Sequence, residues 1–289
     1  MDLVFHETHG HLDLLLEKLE LIPQRNMDFE VLSQTGDLDS IYQKLDELVA
    51  NHALFIQPTV STDNFVFNYK LFHSKDIIKV LIGSHPEIVD KDFNIRTYLK
   101  EQGEVVAQLL NNPDWRSKVI GVGECGLDYY YTQDTSIKKK QWKLFESQIK
   151  LALDNDLPIV IHCRDAFDDL FSILDQYPEM HSRFDVHCFT GDRDIARKVL
   201  EYDGFFGIGG IATFANGESL RDAIEYIPQN KLLVETDLPF LSPVPHRGKT
   251  CLPEYINDVA QKIADIKGIE LKEMWTQLRL NVSSLYTDL

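Results

Sequence analysis

His9 and His11 flank a single glycine at the end of a β-rich run, residues 3–9. Alternate residues of a strand point to the same side, so both imidazoles can converge on one ion. Similar residue types close four later runs: Glu124 ends 119–124, His162 ends 158–162, His187 stands near the end of 184–188, and Asp237 ends 231–237. One buried histidine is more often a packing residue than a ligand. Six imidazole and carboxylate groups, all at strand termini, have no comparable packing explanation and predict a metal site. They exceed the needs of one tetrahedral zinc and suit two ions about 3.5–4 Å apart, with Glu124 bridging. This ligand mixture suits Zn, Mn, Fe or Ni, and Mg less readily. A bound water would then have a pKa of roughly 7, supplying hydroxide at neutral pH, while the second ion polarises a phosphoryl or carbonyl oxygen.

Something must bring these distant residues together. Eight β-rich runs recur, at 3–9, 53–60, 77–85, 119–124, 158–162, 184–188, 204–209 and 231–237, most of them rich in Val, Ile and Phe without polar alternation. That pattern fits parallel strands buried on both faces. Helix-like segments lie at 96–111, 136–155, 165–176, 192–202, 217–227, 253–267 and 271–285. Asp192 can cap its helix, and Pro253 suits a first helical turn. The stretch 21–36 reads as a loop or broken helix. The alternation predicts an α/β fold, a (β/α)8 TIM barrel whose active site lies at the C-terminal ends of the strands, as one domain over 1–289.

The chain has 289 residues, 44% of them hydrophobic, and a formal net charge of −17. No apolar run approaches the ~18–20 residues that span a bilayer, and the first residues have no basic stretch leading into an apolar one. Cys125, Cys163, Cys188 and Cys251 are scattered singly, which suits a reducing, cytoplasmic compartment. By alternation, the cysteines after each proposed ligand should pack toward the helix layer. An acidic surface repels phosphate backbones and argues against a tight, extended DNA groove, but not against an enzyme whose bound cations supply positive charge locally.

Six segments in order resemble the TatD family of metal-dependent deoxyribonucleases, across nearly the whole chain. They are Thr8-His9-Gly10-His11-Leu12-Asp13, Gly121-Val122-Gly123-Glu124-Cys125-Gly126-Leu127-Asp128-Tyr129-Tyr130, Ile161-His162-Cys163-Arg164-Asp165-Ala166, His187-Cys188-Phe189-Thr190-Gly191, Glu235-Thr236-Asp237-Leu238-Pro239-Phe240-Leu241 and Arg247-Gly248-Lys249. The resemblance implies that His9, His11, Glu124, His162, His187 and Asp237 bind two divalent metal ions (Mg2+, Mn2+ or Zn2+). It also implies hydrolysis of DNA phosphodiesters, with exonuclease action from a 3′ end. Related barrels often bridge their metals with a carbamylated lysine at this strand, where the chain has Glu124. It departs from the family at Cys251-Leu252, commonly Asn-Glu, and at Glu7, usually aspartate.

A metal-bridged hydroxide would attack phosphorus in line, with Asp237 accepting the water's proton or serving as ligand only. His85, before Pro86 on the same rim, either contacts a phosphate or the leaving group, or is a fixed loop residue. Arg164 and Arg247 are candidate phosphate grips through the guanidinium fork. Arg247 is the better placed of the two by sequence, because Arg164 can pair with Asp165. Tyr129 to Tyr131, Phe189 and Phe240 either stack on unpaired bases of single-stranded ends or pack the core. Lysines opening 136–155 either meet phosphates or form a solvated face. Two rivals stand beside the nuclease: a lactonase, amidase or phosphotriesterase-like enzyme on the same barrel, and a non-catalytic binding protein. The expected partner is DNA, with no membrane and a monomeric enzyme.

Overall fold

In the computed structural model, which describes residues 4–25 and 27–287, eight parallel strands run in one sheet in sequential order. They are β1 (Phe5–Glu7), β2 (His52–Gln57), β3 (Ile78–Ile82), β4 (Val119–Asp128), β5 (Ile159–Arg164), β6 (Phe184–Val186), β7 (Phe205–Ile208) and β8 (Leu232–Val234). The seam between β8 and β1 is bridged by individual hydrogen bonds. Thr8 N–H donates to the Val234 carbonyl at 3.3 Å and Asp237 N–H to the His9 carbonyl at 2.9 Å. The architecture is the (β/α)8 barrel that the strand–helix alternation predicts.

The helices among the described residues are α1 (Leu12–Lys18), α2 (Phe29–Thr35), α3 (Leu38–Leu48), α4 (Thr62–Phe72), α5 (Ile95–Leu110), α6 (Pro113–Arg116), α7 (Thr135–Asp154), α8 (Phe167–Leu174), α9 (Arg193–Glu201), α10 (Glu218–Tyr226), α11 (Ile256–Lys267) and α12 (Leu271–Leu285). The Asp192 side chain accepts from Ile195 N–H and caps α9, as its sequence position suggests. Pro253 opens a 3-10 turn that feeds α11. The stretch 21–36 resolves into a loop and α2, with Asn26 outside the described residues. Residue 3, where the first predicted strand begins, is also outside them.

Strand alternation divides the core. Along β5, Ile159, Ile161 and Cys163 join the outer layer beneath the helices, whereas Val160 joins the barrel interior. His162 therefore shares the interior face with Val160, one step nearer the rim. The interior cluster also holds Leu54, Ile56, Leu81 and Leu233. Val282, Leu285 and Tyr286, at the end of α12, close it from below. Asn281 anchors that plug by donating to the Gln229 and Leu232 carbonyls, both at 2.7 Å. No described helix is long and apolar enough to cross a membrane.

Away from the cluster of proposed ligands, His6 of β1 and His52 of β2 lie close together. Burial, with the neighbouring His6, pushes His52 down to about 4. Burial and the nearby Arg279 push His6 down to about 4 as well. Free imidazoles protonate near pH 6.5, so between there and about pH 4 the unfolded chain binds more protons than the folded one. Stability is then lost as pH falls through that window. The melting temperature should drop by several degrees between about pH 7.5 and pH 5, and His52→Leu should flatten part of that drop. An identical pH profile in His52→Leu would contradict this account.

Candidate metal centre

Most of the proposed ligands sit just beyond the strands. His9 and His11 follow β1, His187 follows β6, and Asp237 follows β8, while Glu124 and His162 lie within β4 and β5. The chain turns at the rim to bring them inward: Cys188 and Asp237 take left-handed φ values of 44° and 54°. Asp tolerates that conformation better than most residues.

Glu124 stands at the centre. Its Oε1 lies 2.8 Å from His162 Nδ1, 2.8 Å from His187 Nε2 and 3.3 Å from His85 Nε2. Its Oε2 lies 3.3 Å from His9 Nε2 and 3.6 Å from His11 Nε2. His11 Nε2 is also 3.6 Å from Asp237 Oδ1. One carboxylate thus faces five imidazoles, and the structure brings together all six proposed ligands and His85.

Electrostatics follow from that geometry. Burial pushes the Glu124 carboxyl up, but His187, His85 and His9, with the His11 contact, outweigh it and hold it well below the usual carboxylate range. Burial opposes charge on His187, yet Glu124 and Glu235 raise its pKa well above the ordinary value. His9 stacks on His187 at 3.8 Å between ring centroids. Burial and that neighbour drive His9 well below the ordinary imidazole range. Two stacked, buried imidazoles do not both carry charge. Burial lifts Asp237 to about 6 against the pull of His187 and His11.

The donor set fits divalent cations. His9 is fully buried, and neither ring nitrogen makes a hydrogen bond. An orphaned imidazole of this kind is costly unless a ligand completes it. Three groups place one donor atom each within 4.8 Å of one another: His9 with His187 and Glu235, His9 with His11 and Asp237, and His85 with Glu124 and His162.

The residues behind the cluster are informative too. Glu7, at the departure from the family's aspartate, is fully buried; its Oε1 accepts from Thr236 N–H at 2.9 Å and His9 N–H at 3.2 Å. Its Oε2 accepts from Thr236 Oγ1 at 2.8 Å, so one side chain ties the His9 segment to the Asp237 segment. Asp13 holds the start of α1 through Gln57 and Asn64, whose amides donate to it at 2.9 and 2.8 Å. Asp128 and Glu235 were not among the residues singled out from sequence. Asp128 Oδ2 lies 2.9 Å from His162 Nε2, and Glu235 Oε1 lies 3.4 Å from His187 Nδ1. The signal existed: both carboxylates stand an even number of residues from a proposed ligand, Asp128 after Glu124 and Glu235 before Asp237.

His85 reads differently from the other histidines. Its Nδ1 accepts from Glu87 N–H at 3.2 Å, so Nε2 carries the proton and points toward Glu124. A cavity of about 550 Å³ opens over the cluster, walled in part by Arg25, Arg164, Tyr131 and Phe240. Arg164 makes no ion pair among the described residues; its guanidinium lies 3.6 Å from the Tyr130 ring centre. Arg247 is not in that wall, and its guanidinium sits 3.6 Å from the Phe214 ring centre. Phe189 is buried in the core. Cys125 and Cys163 pack into the outer-layer core, but Cys188 faces the cavity because of its left-handed backbone. Cys251 is fully buried with Leu12 and Leu238, so an apolar pair closes this side of the rim.

Comparison with known proteins places this centre in context. The family described as TatD related DNase matches residues 8–287. The chain is 31% identical to the uncharacterized metal-dependent hydrolase YcfH of Escherichia coli K12, covering 93% of this chain and 90% of that protein. It is also 31% identical to the uncharacterized metal-dependent hydrolase YabD of Bacillus subtilis 168, covering 97% and 98%. The crystal structure of the TatD homologue YjjV from Escherichia coli K12 superposes with a TM-score of 0.80 at 26% identity, covering 99% of each chain. A match that runs from the His9 segment to the end of α12, on a barrel that gathers its own strand-end His, Glu and Asp residues into one centre, makes this chain a member of the TatD-related DNase family of metal-dependent hydrolases.

Proposed function

We propose that this protein hydrolyses phosphodiester bonds in DNA, working on single-stranded 3′ ends as an exonuclease, with His9, His11, Glu124, His162, His187 and Asp237 holding two divalent ions. The observation that carries the reading is the single buried carboxylate of Glu124 facing five imidazoles beneath an open cavity. Such ions supply a water of lowered pKa and a Lewis acid for the phosphoryl oxygen. Asp237, on the cavity wall beside His11, accepts the proton of the attacking water. His85 offers its Nε2 proton to a phosphate oxygen or to the leaving group. Arg164 grips a phosphate from the wall, with its planar face already supported by Tyr130. Arg247, outside the wall, would meet only a longer substrate. In this reading residues 1–289 act as one domain, in the cytoplasm, as a monomer.

Chelation and add-back test the reading. A labelled single-stranded oligonucleotide should stay intact in excess chelator and be shortened stepwise from its 3′ end once Mg2+, Mn2+ or Zn2+ is restored. A second reading, hydrolysis of a small ester or lactone, is favoured by the net charge of −17. Metal-loaded protein that leaves DNA intact but opens a lactone would move the assignment there.

A further inference from the structure

We propose a second nucleic-acid subsite, outside the metal cavity, that carries the unreacted part of a single strand over the β4–β5 rim onto the face between α7 and α8. It rests on the nuclease reading and adds to it a preference for strands longer than a dinucleotide.

The path begins at the cavity wall. Arg164, at the end of β5, stacks on Tyr130 at 3.6 Å and lies 5.3 Å from the Tyr131 ring centre. Those two tyrosines are 55% and 72% exposed, and their rings meet edge-on at 4.7 Å. Large aromatic rings held in solvent by a cation make a platform for unpaired bases, since every base has a π-face. The next residue back, Tyr129, turns the other way. Its buried ring lies under Lys138 at 4.3 Å.

Tyr129 also lines a second cavity of about 540 Å³, with Lys138, Lys139, Trp142 and Lys143 among its walls. The two acids of this cavity are engaged: Asp169 accepts from the Tyr129 hydroxyl at 2.6 Å, and Glu146 from the Tyr177 hydroxyl at 3.2 Å. Lys139 and Lys143 are exposed and form no ion pair or hydrogen bond among the described residues. A chain of net charge −17 therefore presents unpaired cations and a half-buried indole beside its reaction cavity. Helices α7 and α8 follow β4 and β5, so their first turns lie at the barrel face where the strands end. The segment 129–131 links the two cavities without a break in the chain. Phosphates would meet the lysines, and bases would meet Tyr130, Tyr131 and Trp142.

The test separates this subsite from the reaction. Kinetics on a thymidine dinucleotide and on a single strand of about twelve nucleotides are compared between wild type and the double variant Lys139→Glu/Lys143→Glu. Affinity for the longer strand is read in parallel by fluorescence anisotropy in chelator, where no turnover occurs. The variant should bind the longer strand about tenfold more weakly and raise its KM by a similar factor. Its kcat and its dinucleotide kinetics should match wild type. The slope of log affinity against log salt should shrink by about 1.4, roughly 0.7 for each lost phosphate contact. Trp142→Ala, which removes a ring that lines only the second cavity, should weaken the longer strand alone, with no change in salt slope. If wild type cleaves both substrates and the variants bind the longer strand equally well, the subsite is refuted and the nuclease reading survives. Wild type that binds the longer strand through these residues without cleaving it would keep the subsite and remove the nuclease. Protein that neither binds nor cleaves DNA would end both.

Discussion

Glu124→Gln is expected to lower kcat/KM on single-stranded DNA by at least about 10³-fold, roughly 4 kcal/mol of transition-state stabilisation. The side chain keeps nearly the same volume, so packing at the end of β4 survives. What changes is the charge and one of two acceptors. Oε1 and Oε2 now face His162, His187, His85, His9 and His11 as lone pairs. An amide presents a donor on one side, which cannot hold a cation and confronts imidazole N–H groups. Removing the anion also removes the attraction that outweighs the burial of His187. The measurement is steady-state kinetics at saturating metal, with metal content per chain and thermal melting followed in parallel. Activity within tenfold of wild type at unchanged metal content would mean that Glu124 is not the pivot of the centre.

Gly126→Ala should cost about 3 kcal/mol or more, seen as a melting temperature lowered by roughly 6–12 °C or as insoluble protein. Gly126 has φ +144°, a conformation that L side chains rarely adopt. A Cβ there would lie 2.0 Å from the His162 carbonyl oxygen. That oxygen is main chain in the neighbouring strand, and Gly126 pairs with His162 in the β4–β5 register. Relief would have to part the two strands that carry Glu124 and His162, so activity should fall along with stability. Gly103→Ala is the control: it lies in the middle of α5, no atom is within 4 Å of its added Cβ, and the change should stabilise by about 0.5–1 kcal/mol. Equal melting temperatures for Gly126→Ala and wild type would show that the strands accommodate the methyl group.

The sequence by itself determined the periodicity and the chemistry. Unbroken Val, Ile and Phe runs alternating with amphipathic segments specify buried parallel strands and covering helices, and α12 begins and ends at the expected residues. The six proposed ligands were legible because strand-end His, Glu and Asp residues have no packing reason to be there. Strand ends were less legible. The regular strands β1, β6 and β8 end at Glu7, Val186 and Val234, short of the predicted runs, and beyond the last two the chain turns at Cys188 and Asp237 through left-handed φ values that composition does not encode. The short helices α1 to α4 were not specified either: α2 buries only Leu32 and α3 only Ile41 and Leu45, while α1 and α4 bury polar Asp13, Asn64 and Asn68 along with their apolar residues, against a core that only the assembled barrel defines.

Only the tertiary structure decided how the site is supported and where its cations lie. Asp128 and Glu235 became partners of His162 and His187 through contacts 34 and 48 residues apart in sequence, which local spacing cannot rank. Glu7 gained its clamp on Thr236 across 229 positions when β8 came round to β1. By sequence Arg247 stood ahead of Arg164 as a phosphate grip; in the barrel Arg164 lines the cavity and Arg247 rests on Phe214. The distinction is physical. Periodicity reports which face of an element is buried, but whether a long cationic side chain reaches the reaction cavity depends on how the rim loops fold over one another.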